Sequence, residues 1–124
     1  VYTMQVAIIL GAAMAFLAVA FGAFGAHALK DKFKEQKYAD NWETACRYFM
    51  YHALGLILVG ILSNVLGQSG ALTTATWCMF AGSIIFSGSL WILSLTGIRK
   101  LGAITPIGGL LQLAAWICVI VAAL

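Results

Sequence analysis

YFMYHALGLILVGILSNVLGQSGALTTATWCMFAGSIIFSGSLWILSLTGI, residues 48–98, contains no charged side chain. A helix needs about 20 apolar residues to cross the hydrocarbon core of a bilayer, so this stretch has room for two. It is interrupted at Ser63-Asn64 and at Gly67-Gln68-Ser69-Gly70, where polar and turn-forming residues gather. Its apolar residues are continuous rather than alternating, which excludes the strands of a membrane β-barrel. In hydrocarbon every backbone polar group must be paired within the protein, and a helix does this within one segment. The stretch therefore reads as a helical hairpin across a membrane.

The flanks repeat the pattern. Residues 1–29 carry no charge, and neither do residues 101–124. All four acids and five of the seven bases lie between Lys30 and Arg47, and the remaining bases are Arg99 and Lys100. The chain of 124 residues is 63% hydrophobic and only 9% charged, against about 25% charged in a soluble domain. The expected fold is an all-α integral membrane four-helix bundle. It forms a single transmembrane domain with helices over about 3–28, 41–66, 74–96 and 106–124.

Local signals set those limits. Asp40 and Glu43 have capping-box spacing for the second helix, and Glu43 and Arg47 form an i,i+4 pair in the favourable order. Gly67 and Gly97 are placed to end the second and third helices. Thr105 followed by Pro106 marks the start of the fourth. A cleaved signal peptide is disfavoured for the first segment: no basic residues precede it, and its apolar run exceeds the usual length. Cys46, Cys78 and Cys118 fall in different predicted helices and suggest neither a disulfide framework nor a zinc site. No internal repeat of the inverted-transporter kind is visible.

In a four-span chain the first and third connections share a side, so all seven bases fall together. The positive-inside rule assigns that side to the cytoplasm and both termini to the other. The expected location is the bacterial cytoplasmic (inner) membrane. The net charge of +3 is then a basic collar facing anionic lipid, and it calls for no nucleic acid.

With this topology the uncommon residues fall at the basic end. They are His27, Trp42, Tyr48, His52, Ser87, Ser89 and Thr105. Ionisable groups within spans are costly and mark function by default, which singles out His27 and His52 as a pair sharing a polar neighbour such as Ser87 or Thr105. Small residues at Gly11, Ala15, Ala18, Gly22 and Ala26 form a stripe on the first helix that admits a close neighbour. Gly22, Gly25, Gly88, Gly108 and Gly109 are the expected helix-packing glycines.

Several of these segments together resemble a family of small bacterial membrane proteins of unknown function, called YwdK-like or YgdD-like, with small eukaryotic relatives. The resemblance is carried by G-A-F-G-A-H at 22–27, W-x-T-A-x-x-Y-x-x-x-H from Trp42 to His52, F-S-G-S-L-W at 86–91, T-P-I-G-G at 105–109, and Trp116. Trp91 stands where tyrosine is expected. The resemblance implies four transmembrane helices and no established activity.

The expected role is therefore a non-enzymatic accessory or assembly component of a membrane complex. Its partners would be membrane lipids and a larger complex or a second copy, with no cofactor and no metal. Two alternatives stay open. A small transporter matches the size, but no span holds an Asp or Glu to couple protons. A ligand site for lipid, quinone or haem would use the His27/His52 pair, and haem would need the two imidazoles facing across a slot. Ser87, Ser89 and His52 do not have a spacing that demands an intramembrane protease.

Overall fold

A computed structural model describes residues 2–29 and 31–124, with side chains from residue 4 onward. Lys30, one of the bases of the first connection, lies outside the described residues. Four α-helices follow one another: α1 (Tyr2–His27), α2 (Gln36–Val65), α3 (Gly70–Thr96) and α4 (Thr105–Ala123). A 3-10 segment, Arg99–Ala103, joins α3 to α4. All four helices are long and apolar enough to cross a membrane, and the described residues contain no strand.

The burial pattern is that of a protein dissolved in lipid. Phe16, Ile9 and Leu110 are each about two-thirds exposed or more. His52, Ser63, Thr76, Ser83, Ser87, Ser89, Ser94 and Gln112 are buried. Between helices in lipid there is little hydrophobic drive, so close packing and interhelical hydrogen bonds hold the bundle.

The extensive packing is α1 on α2, α2 on α3 and α3 on α4, with a lighter touch of α1 on α3. Glycine sets the closest approaches. A Cβ at Gly11 would lie 2.6 Å from the Ala53 carbonyl, and one at Gly60 would lie 2.9 Å from that of Met4. These two points lock α1 to α2. One at Gly108 would lie 2.7 Å from the Gly82 carbonyl, locking α4 to α3. Of the glycines expected to pack, Gly25 and Gly108 do so tightly. Gly22 and Gly88 have nothing within 4 Å of an added Cβ, and Gly109 meets only the Phe86 ring at ordinary contact distance. Those three are corrections: a repeated small residue helps packing only where the partner helix crosses it.

The helix ends also differ in part from expectation. α2 begins at Gln36, about one and a half turns before the expected Asn41, because Gln36, Lys37 and Ala39 are good helix formers. Asp40 consequently caps nothing; it accepts a hydrogen bond from Gln36 Nε2 at 3.0 Å. Glu43 and Arg47 do pair, at 2.6 Å. α3 begins at Gly70 rather than Thr74, with Ser69 as its N-cap, accepting from Leu72 N. Gly97 ends it with φ +72, and Gly67 follows α2 with φ +87. Thr105 is the first residue of α4 and not its cap, which is Ile104.

Candidate functional site

The phase of α2 sorts its residues onto different neighbours. Trp42, Ala53, Ile57 and Gly60 meet α1. Thr44, Tyr48 and His52 lie roughly a third of a turn away and face α4 across α3. Because α4 packs on α3 and not broadly on α2, these three residues form one wall of a groove of about 630 Å³. Phe86 of α3 also lines it, and α4 supplies Pro106, Gly109, Leu110, Gln112, Leu113 and Trp116. Leu110 and Leu113 are about two-thirds exposed, so this rim of the groove lies on the lipid-facing surface.

One end of the groove is closed by a side-chain bridge. Trp116 Nε1–H donates to His52 Nε2 at 3.1 Å. The other ring nitrogen, Nδ1, lies 2.8 Å from the Tyr48 carbonyl. Indole nitrogen only donates and a carbonyl only accepts, so the imidazole is neutral with its proton on Nδ1. Gly55 makes room for the bridge: a Cβ there would stand 3.1 Å from the Trp116 ring.

Other polar groups tie helix to helix. Ser87 Oγ–H donates to the Ala45 carbonyl of α2 at 2.8 Å. Ser89 Oγ and Thr105 Oγ1 share a hydrogen bond between α3 and the start of α4. Gln112 Nε2–H donates to Ser83 Oγ at 3.4 Å, a second link from α4 to α3. Each of these groups is bound where lipid offers no alternative partner.

A second cluster lies on the α1 side. Trp42 Nε1–H donates to the Phe21 carbonyl at 2.8 Å, and its ring sits among Phe21, Phe33 and Trp91 with centroids about 6 Å apart. Trp91 packs edge-on to Phe21 at 4.8 Å and donates to Cys46 Sγ at 3.4 Å. Gly25 permits this arrangement, since a Cβ there would overlap the Trp42 indole.

Residues 21–109 match the family described as "Protein of unknown function (DUF423)". The chain belongs to the DUF423 family. Among its relatives, the UPF0382 membrane protein YwdK of Bacillus subtilis is 55% identical over 120 residues, 97% of each chain. A UPF0382 membrane protein of Staphylococcus epidermidis is 50% identical over 121 residues, covering 98% of this chain and 97% of the relative. Another, SH2409 of Staphylococcus haemolyticus, is 51% identical over 118 residues, 95% of this chain and 94% of its own. No solved structure matches. The resemblance drawn from the sequence segments is thus borne out, and with it the reading as a multi-pass membrane protein.

In this DUF423 chain the seven expected cluster residues do not form one site. Tyr48 and His52 line the groove. Ser87, Ser89 and Thr105 are helix ties, and Trp42 belongs to the aromatic cluster. His27 is exposed at the end of α1, whereas His52 is buried near the middle of α2. The expected pairing of the two is therefore corrected. His52 takes Trp116 and the Tyr48 carbonyl as its partners instead of Ser87 or Thr105, and no slot lies between two facing imidazoles.

Sequence reasoning left Gln112 and Gly82 out of the candidate residues, and it noted Phe86 and Trp116 only among the segments that carry the family resemblance. Gln112 had a signal: it is the sole amide in the uncharged stretch 101–124, where a polar group needs a partner helix. Gly82 had none, since its importance comes from where α4 crosses α3.

Proposed function

We propose that this DUF423 protein is a non-catalytic accessory component of a membrane complex. It sits in the cytoplasmic membrane with both termini outside. The observation that supports a non-catalytic role is the engagement of the polar groups in the spans. Among the described residues, every buried side-chain nitrogen or oxygen has a hydrogen-bond partner. Acid–base or nucleophilic work needs a proton or lone pair aimed at a substrate. The two ring nitrogens of His52 are both committed, and the hydroxyls of Ser87 and Ser89 are spent on carbonyls and on Thr105. Proton-coupled transport is disfavoured on the same ground, together with the lack of Asp or Glu in residues 48–98 and 101–124.

The orientation rests on the bases. Those on described residues gather at the end of the bundle where α1 and α3 finish and α2 and α4 begin, the end that the positive-inside rule gives to the cytoplasm. The relatives are membrane proteins of Bacillus and Staphylococcus.

Two experiments test the reading. Native electrophoresis of gently solubilised membranes, with a tagged chromosomal copy, is expected to show the 13.2 kDa chain in a larger assembly with other polypeptides at fixed stoichiometry. Migration as the free chain, or solute flux in proteoliposomes holding only this chain, would overturn it. For orientation, alkaline phosphatase fused after Leu124 is expected to be active; an inactive fusion with a fluorescent cytoplasmic-type reporter would reverse the topology.

A further inference from the structure

The stripe of α2 that lines the groove does not stop at Thr44. Lys37, Asn41, Thr44, Tyr48 and His52 follow one another at spacings of four, three, four and four, which places them on one helix face. At the basic end this face borders a second hollow, of about 390 Å³, lined by Lys37, Tyr38, Asn41, Leu93 and Arg99. The face therefore passes from cationic and amide groups to an aromatic and aliphatic groove.

The dimensions fit one leaflet. From Asn41 to His52 the helix rises about 16 Å, and half of the hydrocarbon core is about 15 Å. The Trp116–His52 bridge closes the deep end of the groove near the middle of α2. The shallow end lies at the level of Pro106 and the start of α4.

The charges fit as well. Arg99 has no carboxylate partner among the described residues. Lys37 pairs with Glu35, at 3.1 Å, with both side chains more than half exposed, and its ammonium lies over the Tyr38 ring, 5.4 Å from the centroid; such surface pairs are weak and yield to a stronger anion. Tyr38 and Asn41 add neutral hydrogen-bonding groups. Arg47 lines neither hollow and is not needed.

We propose that this face binds one anionic phospholipid of the adjacent leaflet. Its phosphate lies between Arg99 and Lys37, and one acyl chain lies in the groove with its methyl end against Trp116. The groove is too apolar to hold a free anion, and the basic hollow alone gives no reason for the apolar channel on the same helix face. A lipid with both parts accounts for both.

The test is native mass spectrometry of the full chain in mixed micelles with equimolar dioleoylphosphatidylglycerol and dioleoylphosphatidylcholine. One phosphatidylglycerol per chain is expected, retained about fivefold over phosphatidylcholine, the preference expected of one basic residue near an anionic surface. Arg99→Gln is expected to remove most of that preference. Gly109→Leu puts a side chain into the groove where only the Phe86 ring stands within 4 Å of a Cβ, and it is expected to release both lipids. Gly88→Leu, away from the groove, is expected to bind as the parent does.

Equal retention of the two lipids, or retention unchanged in Arg99→Gln and Gly109→Leu, would overturn the proposal. So would competition by glycerol 3-phosphate as effective as that by the lipid, which would leave the groove without a part. A doubled mass without lipid, restored to a single chain by Gly109→Leu, would give the groove to a second copy instead. If a variant fails to fold by circular dichroism, phosphatidylglycerol with a photoreactive acyl chain decides the matter on the parent protein. Crosslinks are expected on Tyr48 and Trp116, and crosslinks confined to other faces refute the site.

Discussion

Gly108 and Gly88 invite the same substitution and should answer it with opposite signs. A Cβ at Gly108 would stand 2.5 Å from Phe86 N, 2.7 Å from the Gly82 carbonyl oxygen and 2.9 Å from Phe86 Cα. All three are backbone atoms, so no side chain can swing away. α4 must lift from α3 by about 1 Å, and a gap of that size forfeits a quarter to a half of the dispersion attraction along the contact. Overpacking of this kind costs about 1–3 kcal/mol. Alanine returns about 1 kcal/mol through its better helix propensity, so Gly108→Ala should be destabilising by up to about 2 kcal/mol.

At Gly88 nothing lies within 4 Å of the added Cβ. Only the propensity gain remains, and Gly88→Ala should stabilise by up to about 1 kcal/mol. Both variants can be compared with the parent by reversible unfolding in mixed micelles titrated with dodecyl sulfate. If Gly108→Ala matches or exceeds the parent, or Gly88→Ala costs as much as Gly108→Ala, the close crossing of α3 and α4 is wrong.

Three further outcomes follow from single contacts. Gly25→Ala should expel Trp42 from its seat, weakening the near-ultraviolet dichroism and costing about 1–3 kcal/mol, while Gly22→Ala leaves the spectrum unchanged. Ser69→Ala removes the side-chain cap of α3 and should cost about 1 kcal/mol in the same unfolding assay; no loss would mean that α3 starts later. Nitrogen-15 spectra of labelled histidine should show His52 protonated at Nδ1 and bare at Nε2 at neutral pH, and the opposite tautomer would contradict the Trp116 bridge.

The spans were legible because charge is so unevenly distributed: stretches such as 48–98 leave a chain in water or lipid little choice. Gly97 worked as a stop signal because only glycine enters the left-handed region cheaply. The start of α2 was obscured because the charges from Lys37 to Asp40 read as loop, although Gln36, Lys37 and Ala39 are good helix formers. The candidate site was harder. Linear order placed Trp42, Tyr48 and His52 together, yet Trp42 and Tyr48 are six residues apart and point to different sides of a helix with 3.6 residues per turn. Depth was misjudged for the same reason: His27 ends one helix and His52 lies deep in the next, so closeness to a shared connection did not mean a shared level. Which glycines mattered depended on crossing points, which are set by packing between helices and leave no mark in a stripe of small residues.

The claim that the intramembrane polar groups hold helices together is tested most directly by the coupling between His52 and Trp116. His52→Leu, Trp116→Phe and the double variant, unfolded in the same micelles, give this coupling without the separate cost of each truncation. The account predicts a favourable coupling of about 0.6 kcal/mol, and up to about 1.7 kcal/mol for a well-formed interhelical hydrogen bond in a membrane protein. Additive effects with no coupling would contradict it and would free the imidazole of His52 for another task.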